Sequence, residues 1–135
     1  MTDVNAIEVR ETEEPKLDPR GAILRTLACG ICGTDARTFF NGDPRAPAPW
    51  VLGHEPVGVL EQVGPEAVLP PDVAPGDRVF LGSILTCGEC RWCAAGVEVR
   101  CPRVAVLDGM HSDFVAAPVR ALRRLPDGLT ADTAV

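Results

Sequence analysis

Four cysteines, Cys87, Cys90, Cys93 and Cys101, fall in the run Cys-Gly-Glu-Cys-Arg-Trp-Cys and the eight residues that follow it. No other stretch limits the fold so sharply. A loop of this length cannot build its own hydrophobic core, and four thiolates held together repel one another unless a divalent ion shares them. Tetrahedral ligation by all four leaves no open position, so a metal held here would be structural. Its binding would order the lobe by roughly 10–16 kcal/mol of apparent free energy, the range known for zinc-finger peptides. Zinc is the expected ion, with rubredoxin-like iron the other that sulfur ligation admits. The competing explanation, coincidental buried or disulfide-paired cysteines, is disfavoured by the tight spacing.

A second constellation lies outside the lobe. Gly53-His54-Glu55-Pro56-Val57-Gly58 opens a glycine-punctuated apolar run that ends at Gly64, and Cys29-Gly30-Ile31-Cys32-Gly33-Thr34-Asp35 precedes it. A lone histidine is more often a satisfied core residue than a ligand. Cys32 changes the balance, because a thiolate beside the His54 imidazole and the Glu55 carboxylate gives three ligands with a fourth position open, the composition of a catalytic zinc site. The glycines flanking His54 let backbone pass close to neighbours where a side chain would clash. Cys29 is assigned as a small buried residue. A Cys29/Cys32 redox dithiol lacks a surrounding βαβ pattern, and a single zinc ribbon joining that pair to Cys87 and Cys90 would need far wider spacing than ribbons use.

With 135 residues the chain is expected to form one domain, large enough for a core. Hydrophobic residues at 46% and charged residues at 24% are those of a folded protein rather than a disordered or membrane one. The net charge of −6 would repel a phosphate backbone, which argues against nucleic-acid binding. Met1 to Glu14 is polar and acidic, unlike a signal peptide, and no apolar run is long enough to span a bilayer. A cytoplasmic location is expected, in keeping with reduced, metal-binding thiols.

Alternation of apolar and polar residues predicts strands at Ala6–Thr12 and Ala22–Leu27, as antiparallel neighbours joined through Pro15 to Gly21. Thr34 to Phe40 reads as one or two helical turns capped by Thr34 or Asp35 and stopped by Gly42. Asn41 to Pro49 is an irregular loop that Trp50 either docks or extends into a pocket. Val57–Val63 is a buried strand whose Gly58 marks a bulge or a close backbone approach. Short strands follow at Val79–Leu81, Phe114–Ala117 and Ala121–Arg124, with turns at Pro75-Gly76-Asp77-Arg78 and Pro126-Asp127-Gly128. Leu129 to Val135 looks like the capped start of a helix with no helix after it. An isolated first turn is unstable, so the natural chain is expected to continue.

Taken together, the Gly53-His54-Glu55-x-x-Gly58-x5-Gly64 stretch, the Cys32-Gly33-Thr34-Asp35 corner and the four spaced cysteines resemble the GroES-like catalytic domain of the zinc-containing medium-chain alcohol dehydrogenases, in the polyol/threonine dehydrogenase-like branch. Pro75-Gly76-Asp77-Arg78-Val79 and Leu125-Pro126-Asp127-Gly128-Leu129 are lesser echoes, and the similarity runs from about Ile7 to the end. The resemblance implies a mainly β fold with short helices: a GroES-like, partly open β-barrel over residues 1–135, carrying an irregular structural-zinc lobe at about 84–104.

The resemblance also implies roles. Cys32 and His54 would ligate a catalytic zinc, with Glu55 as third ligand or as a carboxylate close behind the ligands. Thr34 would hydrogen-bond the substrate hydroxyl, and Asp35 would orient His54. Cys87, Cys90, Cys93 and Cys101 would hold a structural zinc. Thr34 and Asp35 have a plainer reading as helix caps. The chemistry implied is oxidation of an alcohol or polyol, made more acidic by the cation, with hydride passing to NAD or NADP. No Gly-x-Gly-x-x-Gly occurs here, so a nucleotide-binding domain is absent from these residues and no cofactor-binding residue can be named. The fragment alone is expected to be inactive. Arg37 stands where many relatives carry a relay histidine, and His111-Ser112-Asp113 replaces their small and glycine residues. His111 is either near the substrate or an exposed loop histidine.

Two alternatives accompany the dehydrogenase reading: a stand-alone, non-catalytic zinc-binding scaffold, and a reductase of activated carbonyls. The expected partner is a small-molecule alcohol or polyol, with no nucleic acid and no membrane, and homo-oligomers are possible in the full-length form. The sequence leaves open the substrate, the choice of NAD or NADP, the third catalytic ligand and the oligomeric state.

Overall fold

A computed structural model describes all residues from Met1 to Val135. Its centre is β1 (Gly21–Cys29), hydrogen-bonded on both sides. With α1 (Gly33–Asn41), β2 (Pro56–Val63), β3 (Arg78–Leu81), β4 (Ile84–Leu85), α2 (Arg91–Ala94), β5 (Ala105–Val106), β6 (Phe114–Pro118), β7 (Leu122–Arg124) and α3 (Ala131–Ala134), it completes the element order. Five strands form one antiparallel sheet in the order β6-β1-β2-β3-β7, whose edges do not close on each other. β4 and β5 make a separate two-stranded ribbon at the base of the cysteine lobe. The architecture is therefore mainly β and open-edged, as expected.

Side-chain alternation sets which face is buried. Leu24, Leu60, Val79, Leu81, Val115 and Leu122 point into one core, joined by Met110 and Val73 from connecting segments. Full burial of each such leucine is worth about 1.5–3 kcal/mol. Leu24 lies opposite both Leu60 and Val115, so the register that buries one buries all three.

The β1/β2 register slips twice, once at Glu61 and once at Leu27, where Thr26 faces Gly58 and Ala28 faces Val57. At the second slip a Cβ on Gly58 would lie 2.6 Å from the Arg25 carbonyl oxygen, so glycine there admits the bulged backbone. Beyond the bulge pairing resumes to Cys29 opposite Pro56. β1 thus runs further than the alternation alone predicts.

Two expectations are corrected. Residues 7–17 form no strand: Ile7 and Val9 are exposed, at 59% and 101%. The reason is topological, since β2 and β6 already occupy both flanks of β1 and leave no edge for an N-terminal neighbour. The cap of α1 is Cys32, not Thr34 or Asp35. The Cys32 thiol accepts the Thr34 N–H at 3.2 Å, and the Asp35 carboxylate accepts the Cys32 N–H at 3.0 Å, a reciprocal box. Gly42 ends the helix as expected, its N–H donating to the Thr38 carbonyl. No helix is long and apolar enough to cross a membrane.

Candidate metal centres

The end of the β1/β2 pair builds the first centre. Because Cys29 is in register with Pro56, the residues just past β1 and just before β2 lie side by side, and the Gly30 N–H to Glu55 carbonyl bond at 3.0 Å extends the pairing. Cys32 then enters α1 from one arm while His54 and Glu55 arrive on the other. Their separation in sequence is closed to 3.1 Å between Cys32 Sγ and His54 Nε2. The donor atoms of Cys32, His54 and Glu55 all lie within 4.8 Å of one another.

Asp35 locks the two arms together. It is 4% exposed, and one carboxylate oxygen accepts the Cys32 N–H while the other accepts the Gly53 N–H, each at 3.0 Å. The same oxygen that meets Gly53 lies 3.6 Å from His54 Nδ1, an electrostatic contact too long for a hydrogen bond. Burial raises the Asp35 carboxyl, but the N–H groups of Cys32 and Gly53 and the two imidazoles of His54 and His111 outweigh it and hold it below its ordinary value. The carboxylate facing Nδ1 favours the proton on that nitrogen, which leaves the Nε2 lone pair facing the thiol. Asp35 thus bonds chiefly to the backbone of both arms.

Gly30 and Gly53 enforce the approach. A Cβ at Gly30 would come within 2.5 Å of the Glu55 carboxylate, and one at Gly53, whose φ is +97°, would come within 2.7 Å of the His111 ring and amide. Gly30 was not singled out by sequence; its place between two cysteines and opposite a Gly-His-Glu segment is the only signal for it. His111 is exposed and lies over Gly53, its N–H donating to the Leu52 carbonyl at 2.9 Å. Thr34 is exposed beside the centre, and its amide is the group bonded to the thiol. Trp50 ties its loop to Asp108 through Nε1 at 3.3 Å. Cys29 is only half-buried, not buried as expected: it packs against the edge of the core, and desolvation pushes its thiol up.

The second centre gathers all four lobe cysteines. Cys90 and Cys93 sulfurs are 3.5 Å apart and those of Cys87 and Cys93 3.8 Å, within a set whose donors lie within 4.8 Å. The Cys101 sulfur accepts the N–H groups of Cys87 and Arg103, each at 3.4 Å. The Glu89 N–H, the largest influence, draws the Cys87 thiol down to about 6, while burial and the Cys90 thiol push Cys93 up to about 11. α2 and a 3-10 turn at Glu98–Arg100 carry the loop around the sulfurs, with Arg91 and Arg100 at 4.5 and 5.1 Å from the Trp92 ring.

Both donor sets fit zinc. Two sulfurs about 2.3 Å from a tetrahedral zinc stand about 3.8 Å apart, and a sulfur and an imidazole nitrogen about 3.6 Å. The lobe sulfurs match the first figure, and Cys32 with His54 lies about half an ångström inside the second, a gap that a small side-chain rotation closes. The lobe offers four sulfurs and no vacancy. The sheet-end set offers one thiolate, one imidazole and one carboxylate, which suits an ion that also takes an outside ligand.

A family model described as the alcohol dehydrogenase GroES-like domain matches residues 18–127. An alcohol dehydrogenase of Geobacillus stearothermophilus is 33% identical over 134 residues, 95% of this chain but 39% of that protein. Among solved structures, the alcohol dehydrogenase of Thermus sp. ATN1 superposes with a TM-score of 0.81 at 30% identity, covering 98% of this chain and 40% of that one. An NAD-dependent alcohol dehydrogenase gives 0.78 at 31%, covering 92% and 37%. The chain therefore spans about two-fifths of the length of these relatives.

Proposed function

Since the chain belongs to the alcohol dehydrogenase GroES-like domain family, we propose that it is the zinc-binding catalytic portion of an NAD(P)-dependent alcohol or polyol dehydrogenase. The observation that carries this reading is the 3.1 Å approach of Cys32 Sγ to His54 Nε2 with the Glu55 carboxylate alongside. Zinc held there would polarise the oxygen of an alcohol or carbonyl and ease loss of the hydroxyl proton. In the reaction the alcohol gives up that proton and a hydride; the hydride reduces NAD or NADP, and the carbonyl compound leaves.

This chain's residues supply binding and orientation. Cys32 and His54 are the assigned ligands, and Glu55 is either the third or a carboxylate ready to exchange with it. Asp35 fixes both ligand-bearing backbones and turns the His54 ring. Thr34, exposed and bonded through its amide to the Cys32 thiol, is assigned the hydrogen bond to the substrate hydroxyl. Cys87, Cys90, Cys93 and Cys101 are assigned to a structural zinc that orders the lobe.

The test is turnover by the full reading frame with a panel of alcohols and polyols and both nicotinamides. Alcohol-dependent reduction of NAD or NADP should be lost in Cys32→Ser while the lobe keeps its zinc. Turnover that survives Cys32→Ser would overturn the assignment. A zinc-replete protein without turnover on any alcohol would favour the scaffold instead.

A further inference from the structure

Acidic groups outnumber basic ones 19 to 13 in this chain, so a guanidinium with no carboxylate beside it stands out. Seven arginines form ion pairs. Arg91 and Arg100 lie over Trp92, and Arg78 donates to the Leu129 carbonyl. Arg120 and Arg123 are the two left, and both line one cleft of about 240 Å³ where the β3/β7 edge of the sheet meets the start of the cysteine lobe. Phe80 and Leu85 give the cleft an apolar wall.

Arg123 is held in place from behind. One terminal nitrogen donates to the carbonyls of Arg120 and Leu122, each at 2.8 Å, which leaves its remaining donors free. Two guanidinium groups with no carboxylate in ion-pair contact favour a tetrahedral oxyanion. At about 240 Å³ the cleft leaves room for a short organic tail against Phe80 and Leu85 beside the anion. Glu98 also lines the cleft but pairs with neither arginine, so it opposes an anion there rather than replacing one.

We propose that this cleft binds a phosphate group, taken between the side chains of Arg120 and Arg123. None of its residues is an assigned metal ligand, although Thr86 at its edge bonds the Cys93 thiol, and it does not depend on the dehydrogenase reading. Inorganic phosphate and a small phosphate monoester present the same chemistry, and the experiment separates them.

Zinc-loaded chain is titrated with inorganic phosphate, glycerol phosphate and, as uncharged control, glycerol, while backbone amide shifts are followed by NMR. Saturable shifts centred on residues 84–86 and 120–123 are expected with both phosphates and not with glycerol. Tighter binding of glycerol phosphate identifies an ester as the source; equal affinities identify the free ion. Arg120→Gln should weaken binding at least about tenfold, the loss of one charge-assisted hydrogen bond. Glu98→Gln should tighten it, a change in the opposite direction that a misfolded variant could not produce. Absence of saturable shifts, equal shifts with glycerol, or wild-type affinity in Arg120→Gln would overturn the proposal.

Discussion

Asp35→Asn isolates the clamp that joins the two arms of the sheet-end centre. The wild-type carboxylate accepts two backbone N–H groups, from Cys32 and Gly53, at 3.0 Å each, and is 4% exposed. An asparagine keeps one acceptor oxygen and presents an NH2 where the other stood. Whichever way it turns, one backbone N–H faces another donor. The lost bond to a charged acceptor is worth about 1.5–3 kcal/mol, and the buried N–H left unmet costs about 1–3 kcal/mol. These overlap, so a loss of about 3–4 kcal/mol is expected, a large share of the roughly 5–15 kcal/mol that holds a domain folded. Urea unfolding of the zinc-loaded proteins, followed by tryptophan fluorescence, measures it as a lowered midpoint at unchanged slope. Zinc content should fall in parallel, because the two ligand-bearing arms are no longer tied. A loss under about 1 kcal/mol with full zinc content would refute the assignment of Asp35 as the clamp.

Other consequences concern the lobe and the loops. Cys90→Ser should lower zinc content by one ion per chain and loosen the lobe so that trypsin cuts after the already exposed Arg91 and Arg100, while hydrogen exchange in β1 and β2 stays slow; unchanged zinc content would contradict a four-sulfur site. Gly53→Ala should destabilise by about 1–3 kcal/mol from its positive φ alone. His111→Ala should rescue it only in part, because the added Cβ also meets the His111 backbone N, and full rescue would show that the ring was the sole obstacle. The side chain and the N–H of Arg45 draw the Asp43 carboxyl well below its ordinary value of 3.8. Its folded value lies below its unfolded one, so its contribution to loop order is complete above about pH 4 and is lost as pH falls through the folded value. A carboxyl carbon titration with a midpoint near 3.8 would contradict the pairing.

Much of the site was legible because its chemistry is carried by rare residues at tight spacing. Four cysteines in the lobe and a Gly-His-Glu stretch opening an apolar strand leave few arrangements, and the structure gathers the donor atoms of both sets. Strands β2, β3 and β6 were readable for the same reason: short apolar runs bounded by turn residues. Ile7 and Val9 show the limit of that signal. Their alternation is local, whereas a strand also needs a free edge, and β1 has none to offer. The cap of α1 is not legible in the sequence because capping preferences favour hydroxyl and carboxylate side chains, while here the Cys32 thiol takes that position. Gly30 carries little sequence signal because its role is to stay out of the way of Glu55, which only the paired backbone reveals.

The central claim is that Cys32 and His54 meet at one cation, and anomalous diffraction at the zinc edge from crystals of the zinc-loaded chain tests it most directly. The account predicts a peak about 2.3 Å from Cys32 Sγ and about 2.1 Å from His54 Nε2, separate from the peak among the lobe sulfurs. Density in the lobe alone, with no scatterer between Cys32 and His54 in zinc-replete protein, would contradict it.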